Sequence, residues 1–237
     1  MRPRPISNGM KNPIAVFDID GTVFRSSLLI ELVERLLEAG IFPLHVREEF
    51  SELERSWRDR EGSYEDYIQA VVKVFRKNVK GVFYGDFADI GREVVAEQSK
   101  RVYRYTRDLI LELKSEGYYL VAISQSPKTI LDEFCRQYGF DKVYGRIYET
   151  GPQDRFTGEV IDEHLISNKA NIVSRVIDRE NLSREGSVGV GDTEGDIPLL
   201  ESVEVPICFN PNQTLLDHAK RAGWRVVVER KDVIYEI

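Results

Sequence analysis

Short, continuously apolar runs alternate along this chain with amphipathic helical stretches, and that alternation restricts the fold more than any other feature. The run Ile14 to Phe17 ends at Asp18, and similar runs recur at Tyr119 to Ile123, Ser187 to Val190, Val205 to Phe209 and Arg225 to Val228. A strand that is apolar on both faces must be covered on both faces, as in a parallel sheet. Helical patterns separate most of these runs: Thr106 to Glu116 ahead of Gly117, Lys128 to Tyr138 ahead of Gly139, and Lys169 to Asp178. Strands alternating with helices predict an α/β fold with a doubly wound, mostly parallel sheet, whose ligands bind beyond the carboxyl ends of the strands.

Between about Ser26 and Tyr105 the pattern is helix after helix. Leu28, Leu29, Leu32, Val33, Leu36 and Leu37 recur at helical spacing, and Gly40 and Pro43 supply the stop. Phe50, Leu53 and Trp57 mark a second helix; Ser63 caps a third that carries Tyr67, Val71, Val74 and Phe75; a fourth runs from about Asp86 to Val102. The expected organisation is a loose tail over 1–12, an α/β core from 13–25 and 106–237, and a helical module inserted over 26–105. Tyr144 to Glu149 and Phe156 to Ile161, around Gly151 and Pro152, predict a β-hairpin at the sheet edge.

Composition removes several classes. With 237 residues, 42% hydrophobic and 31% charged, the chain has enough apolar material for a core. A net charge of −7 and the lack of a Lys/Arg run argue against a nucleic-acid binder. No apolar run approaches the ~20 residues that span a bilayer, and the N-terminus lacks an apolar signal region, so a cytoplasmic protein with no membrane partner is expected. Cys135 and Cys208 read as buried free thiols, and the scattered His45, His164 and His218 offer no HExxH-like zinc pair. Nothing in the sequence specifies an oligomeric state.

The chemistry is concentrated at segment ends. Asp18-Ile19-Asp20-Gly21-Thr22-Val23 stands where the first buried strand ends. Two carboxylates at i and i+2 raise the cost of ionising each other unless a cation intervenes, and Mg²⁺ accepts such hard oxygen ligands. Gly21 permits close backbone approach, and the amides and hydroxyl around Thr22 offer donors to phosphate oxygens. Ser124-Gln125-Ser126-Pro127 carries the chain from a strand into a helix, so Ser124, Gln125 and nearby amides face a position that favours anions, with Ser126 a candidate cap. Lys169 opens a helix, where the dipole opposes its charge and no local reason for it exists. Gly191-Asp192-Thr193-Glu194-Gly195-Asp196 follows the Ser187 to Val190 run; read locally, it is an acidic helix start.

In order, a DxDGT motif, a serine closing a second motif strand, a lysine and a paired-acid motif resemble the phosphatases of the haloacid dehalogenase superfamily, across the whole α/β part of the chain. The resemblance implies a Rossmann-like core and a phosphomonoester hydrolase acting on a small phosphorylated substrate with Mg²⁺ as cofactor. It further implies Asp18 as the nucleophile that forms an aspartyl phosphate, Asp20 as acid and base, and Lys169 neutralising charge during transfer. The metal ligands it implies are the Asp18 carboxylate, the Asp20 main-chain carbonyl and Asp192, with Asp196 a ligand directly or through water and a partner for Lys169. The helical insert, the Phe156-Thr157-Gly158-Glu159-Val160 segment and the Tyr138-Gly139-Phe140 turn are similar to the phosphoserine-phosphatase-like branch. That branch's phosphoserine enzymes carry a glutamate nine residues after the nucleophile and an asparagine before the last motif aspartate. Here those positions are Ser27 and Gly195, which points away from phosphoserine. A phosphotransferase or mutase would use the same intermediate; a receiver-like phospho-acceptor would be little more than half as long and would lack the insert.

Overall fold

The computed structural model describes residues 11–161, 166 and 168–237; most of the expected tail, His164 and Ser167 lie outside the described residues. Strand β1 (Pro13–Asp18) leads into helices α1 (Leu28–Glu38), α2 (Glu48–Arg58), α3 (Tyr64–Asn78), α4 (Tyr84–Gln98) and α5 (Arg104–Ser115). Then follow β2 (Tyr119–Pro127), α6 (Lys128–Tyr138), β3 (Lys142–Thr150), β4 (Phe156–Ile161), α7 (Lys169–Arg179), β5 (Ser183–Gly191), the short α8 (Ile197–Glu201), β6 (Val205–Phe209), α9 (Gln213–Ala222), β7 (Arg225–Arg230) and β8 (Val233–Glu236).

The eight strands form one sheet in the order β4-β3-β2-β1-β5-β6-β7-β8. Pairing is parallel from β3 through β7 and antiparallel at the two edges, β3 with β4 and β7 with β8. All six residues of central β1 are buried. Its side chains alternate: Ala15 and Phe17 join an apolar cluster with α5, α6 and the helices between β1 and β2, whereas Ile14 and Val16 pack with α7, α8 and α9. Period-two alternation with both faces covered is the doubly wound arrangement expected from the sequence.

The insert helices bury their apolar faces in the same cluster as Ala15 and Phe17, so their core runs continuously into one side of the sheet. Phe24 bridges the two regions, meeting Phe134 of α6 edge-on at 5.5 Å between ring centres. Ser63 caps α3, accepting from the Asp66 N–H at 3.1 Å.

Three expectations need correction. The fourth insert helix runs Tyr84–Gln98 rather than Asp86 to Val102, because Ser99 caps it and the chain turns before Arg104. Leu53 is exposed, and the inner face of α2 carries Phe50 and a buried Glu54, which Arg47 (3.0 Å) and Arg58 (2.5 Å) pair. β2 extends to Pro127, so α6 begins only at Lys128 and Ser126 does not cap it. The sequence reading also overlooked α9, capped by Asn212 accepting from Leu215 N–H at 3.0 Å, and the exposed edge strand β8.

Candidate active site

The site forms because β1, β2 and β5 are neighbours and run in the same direction. Asp18 closes β1 level with Ile123 of β2, and β5 ends at Gly191 on the other side. Ser124, the residue after Ile123 within β2, and Asp192, the first residue beyond β5, therefore stand on either side of the Asp18 end of β1. Lys169 is the first residue of α7, whose cap, Asn168, accepts from Asn171 N–H at 3.0 Å. Asp196 closes the 3₁₀ turn Glu194–Asp196, reciprocally capped with Thr193.

Carboxylate oxygens of Asp18, Asp192 and Asp196 all lie within 4.8 Å of one another. The Lys169 ammonium, itself buried, donates to Asp18 Oδ1 at 2.6 Å and to Asp196 Oδ1 at 2.5 Å. Asp196 Oδ2 accepts the N–H groups of Asp192 (3.0 Å) and Thr193 (3.1 Å). This is the local reason for Lys169 that the helix dipole could not supply. Burial alone would lower the lysine, but Asp18 and Asp196 hold it above its usual range. For Asp18 burial dominates, opposed by Lys169 and reinforced by Asp196 and Asp20, and the carboxyl is pushed up to about 8. Asp192 is raised by burial and then by Asp18 and Asp196. One lysine thus faces more carboxylates than it can neutralise, and their oxygens converge on a single point. The donor set, hard oxygens alone and in excess of negative charge, fits Mg²⁺.

Asp20 stands apart from that trio. Its Oδ1 accepts the Leu28 N–H at 2.6 Å, the first amide of α1, and its Oδ2 accepts both the Ser124 hydroxyl and, at 2.8 Å, the Ser126 hydroxyl. Burial raises its pKa, and the Ser124, Leu28 and Ser126 donors oppose that shift.

Other residues singled out in the sequence have different placements. Thr22 is fully buried and its hydroxyl donates to Asp192 Oδ1 at 2.9 Å, so it braces an acid. The Gly21 amide is committed to Phe24 and Ser26 carbonyls. Gln125 is exposed, its side chain accepting from Arg146 at 2.6 Å, and the structure does not bring that side chain to the acidic cluster. Gly21 is demanded by geometry: its φ is +84°, and a Cβ there would stand 2.3 Å from Asp192 Oδ2. Gly21→Ala is expected to destabilise the fold by about 1–3 kcal/mol and displace Asp192, read as a lower urea midpoint with unchanged slope.

Sequence reasoning missed Ser126 as an Asp20 partner and Tyr64 altogether. Tyr64 opens α3, its ring 5.2 Å from that of Trp57, and its phenol is raised by burial and then by the fields of Asp20, Asp192 and Asp18. No sequence pattern flags it, because its partners lie far away in the chain. Tyr103 is likewise raised by burial and then by Asp192, with the Arg25 guanidinium 5.5 Å from its ring centre.

The acidic cluster and its lysine sit at the carboxyl ends of neighbouring parallel strands, where α/β sheets bind their ligands. The family model of haloacid dehalogenase-like hydrolases matches residues 15–201, and the chain belongs to that family. Within it, the protein is a phosphatase, and its likeness runs to enzymes of the phosphoserine-phosphatase-like branch. The chain is 27% identical over 223 residues to a histidinol-phosphatase of Neisseria meningitidis, covering 92% of this chain and 99% of that one. It is 28% identical over 226 residues to a phosphoserine phosphatase of Archaeoglobus fulgidus, covering 92% of this chain but spanning only 58% of that enzyme's length. A solved phosphoserine phosphatase, in a phospho-aspartyl intermediate analogue form, shares the fold with a TM-score of 0.61 and 20% identity over 94% of this chain and 95% of that one. No helix among the described residues is long and apolar enough to cross a membrane.

Proposed function

We propose that the protein is a magnesium-dependent phosphomonoester hydrolase that acts on a small phosphorylated metabolite through an aspartyl phosphate on Asp18. The observation that carries the reading is the convergence of the Asp18, Asp192 and Asp196 carboxylates within 4.8 Å around the single cation of Lys169.

Asp18, Asp192 and the Asp20 main-chain carbonyl would hold Mg²⁺, with Asp196 a ligand directly or through water. When bound, the ion neutralises charge shared by the acids and the phosphoryl oxygens. Asp18 attacks phosphorus, while Lys169 opposes the rise of its carboxyl and balances the oxygens in transfer. Ser124 donates to a phosphoryl oxygen. Asp20 gives its proton to the departing alkoxide, and so is ready to take one from the water that cleaves the aspartyl phosphate. Residues 26–105 serve as a cap that excludes water. Ser27, buried at the start of α1, offers no carboxylate for a substrate amine. That favours an alcohol phosphate other than phosphoserine, and the likeness to a histidinol-phosphatase makes histidinol phosphate the first compound to try.

Phosphate release from p-nitrophenyl phosphate, histidinol phosphate, phosphoserine and other small monoesters, with Mg²⁺ or EDTA, tests the reading. Metal-dependent release abolished by EDTA is expected; release indifferent to EDTA would sink it. Independently of activity, Mg²⁺ at about a hundred times its Kd should raise the melting temperature by roughly 5–10 °C. Asp192→Asn should remove most of that shift.

A further inference from the structure

The hydroxyl of Ser126, buried behind the site, donates to Asp20 Oδ2 at 2.8 Å, and its N–H donates to Ser124 Oγ at 2.9 Å. Ser124 in turn donates its hydroxyl hydrogen to that same Asp20 oxygen. A serine hydroxyl carries one hydrogen. Once Ser124 gives it to a phosphoryl oxygen, it no longer serves Asp20. Two donors then remain on Asp20: the Leu28 N–H on Oδ1 and the Ser126 hydroxyl on Oδ2.

We propose that Ser126 is a positioning residue for the proton transfers of Asp20: it holds Oδ2 while Ser124 is engaged by the phosphoryl group, and its N–H aims the Ser124 hydroxyl. The proposal rests on the reading of Asp18 as nucleophile and Asp20 as acid and base. In the first step the Asp18 oxygen bonds to phosphorus and the bond from phosphorus to the ester oxygen breaks. Its electron pair stays on the departing oxygen, which takes the proton from Asp20. In the second step water bonds to phosphorus, gives its proton to Asp20, and the bond to Asp18 breaks. The departure of Ser124 leaves on Oδ2 the lone pair that carries this proton, beside the one that still accepts from Ser126. With Leu28 as its sole donor, the carboxyl would be free to rotate about its terminal torsion, which has only a shallow preference of its own. Held at both oxygens, it presents the proton in one direction.

Leaving-group dependence tests this. Nitrophenolate departs without a proton, whereas an alkoxide needs one, so a fault in Asp20 positioning shows selectively on alkyl esters. We compare kcat/KM of the native chain, Ser126→Ala and Ser126→Cys on p-nitrophenyl phosphate and on the alkyl phosphate of the panel that the native chain turns over fastest. Ser126→Ala should lose roughly 10- to 100-fold on the alkyl ester, in kcat more than in KM, and less than about threefold on the aryl ester. Ser126→Cys, which keeps the volume and a weak donor, should fall between the two, and it decides the matter should the alanine variant fail to fold. Equal losses on both esters, or no loss on either, would overturn the positioning role while leaving the phosphatase reading intact. A native chain that hydrolyses no alkyl phosphate would sink that reading, and this proposal with it.

Discussion

Asp18→Asn is expected to lower phosphate release by ~10⁴-fold or more while leaving the fold intact. The amide cannot displace an alkoxide from phosphorus, and it offers a weaker oxygen ligand to the ion. Its carbonyl can still accept from Lys169, which donates to Asp18 Oδ1 at 2.6 Å, so the buried lysine keeps both acceptors. Burial and the neighbouring Asp196 and Asp20 already penalise ionised Asp18 and push its carboxyl up to about 8, so a neutral isostere relieves repulsion in the metal-free chain. The variant should therefore melt no lower than the native protein in EDTA. Melting curves and single-turnover phosphate release check the two halves; turnover within tenfold of native would remove Asp18 from the nucleophile's role.

Lys169→Met should cost both activity and stability. The methionine approximates the lysine's length, so the substitution deletes charge rather than volume. Two aspartates, Asp18 and the fully buried Asp196, would lose their shared cation. Removing one partner from a buried charge cluster typically destabilises by about 3–5 kcal/mol, roughly 6–20 °C in melting temperature for a chain of this size. The loss should be largest in EDTA and smaller with Mg²⁺, because the ion takes over part of the neutralisation. Phosphate release should fall at least ~10²-fold, since the charge that balances the transferring oxygens is gone. A variant equally stable with and without metal would show that Lys169 and the ion do not share the same acids.

The strand and helix plan was legible because its signals are local. Ile14 to Phe17 is apolar at every position, Lys128 to Tyr138 carries its own stop in Gly139, and Ser63 its own cap: burial on both faces, the left-handed turn and the capped amide each leave a mark within a few residues. Asp18 and Asp192 stood out because each belongs to a short acidic motif directly after a buried run, and Lys169 because it opens a helix whose dipole opposes its charge. The edge strand β8, all of it exposed, has no such pattern, and the reading passed over it.

What the sequence determined by itself is the set of reactive groups and the strand ends on which they ride, since both follow from periodicity and turn chemistry along a few residues. Only the tertiary structure decided how those groups are shared out. Thr22, expected among the phosphate donors, braces Asp192, and Ser126, a candidate helix cap, holds Asp20. Tyr64, at the start of α3 in the insert, enters the field of the acids. A hydroxyl or phenol has many possible partners, and which one it takes depends on chain segments brought together only when β1, β2 and β5 align and the insert closes on the sheet. The hydrogen bonds from Ser124 and Ser126 to Asp20 span more than a hundred residues, a separation over which local pattern carries no information.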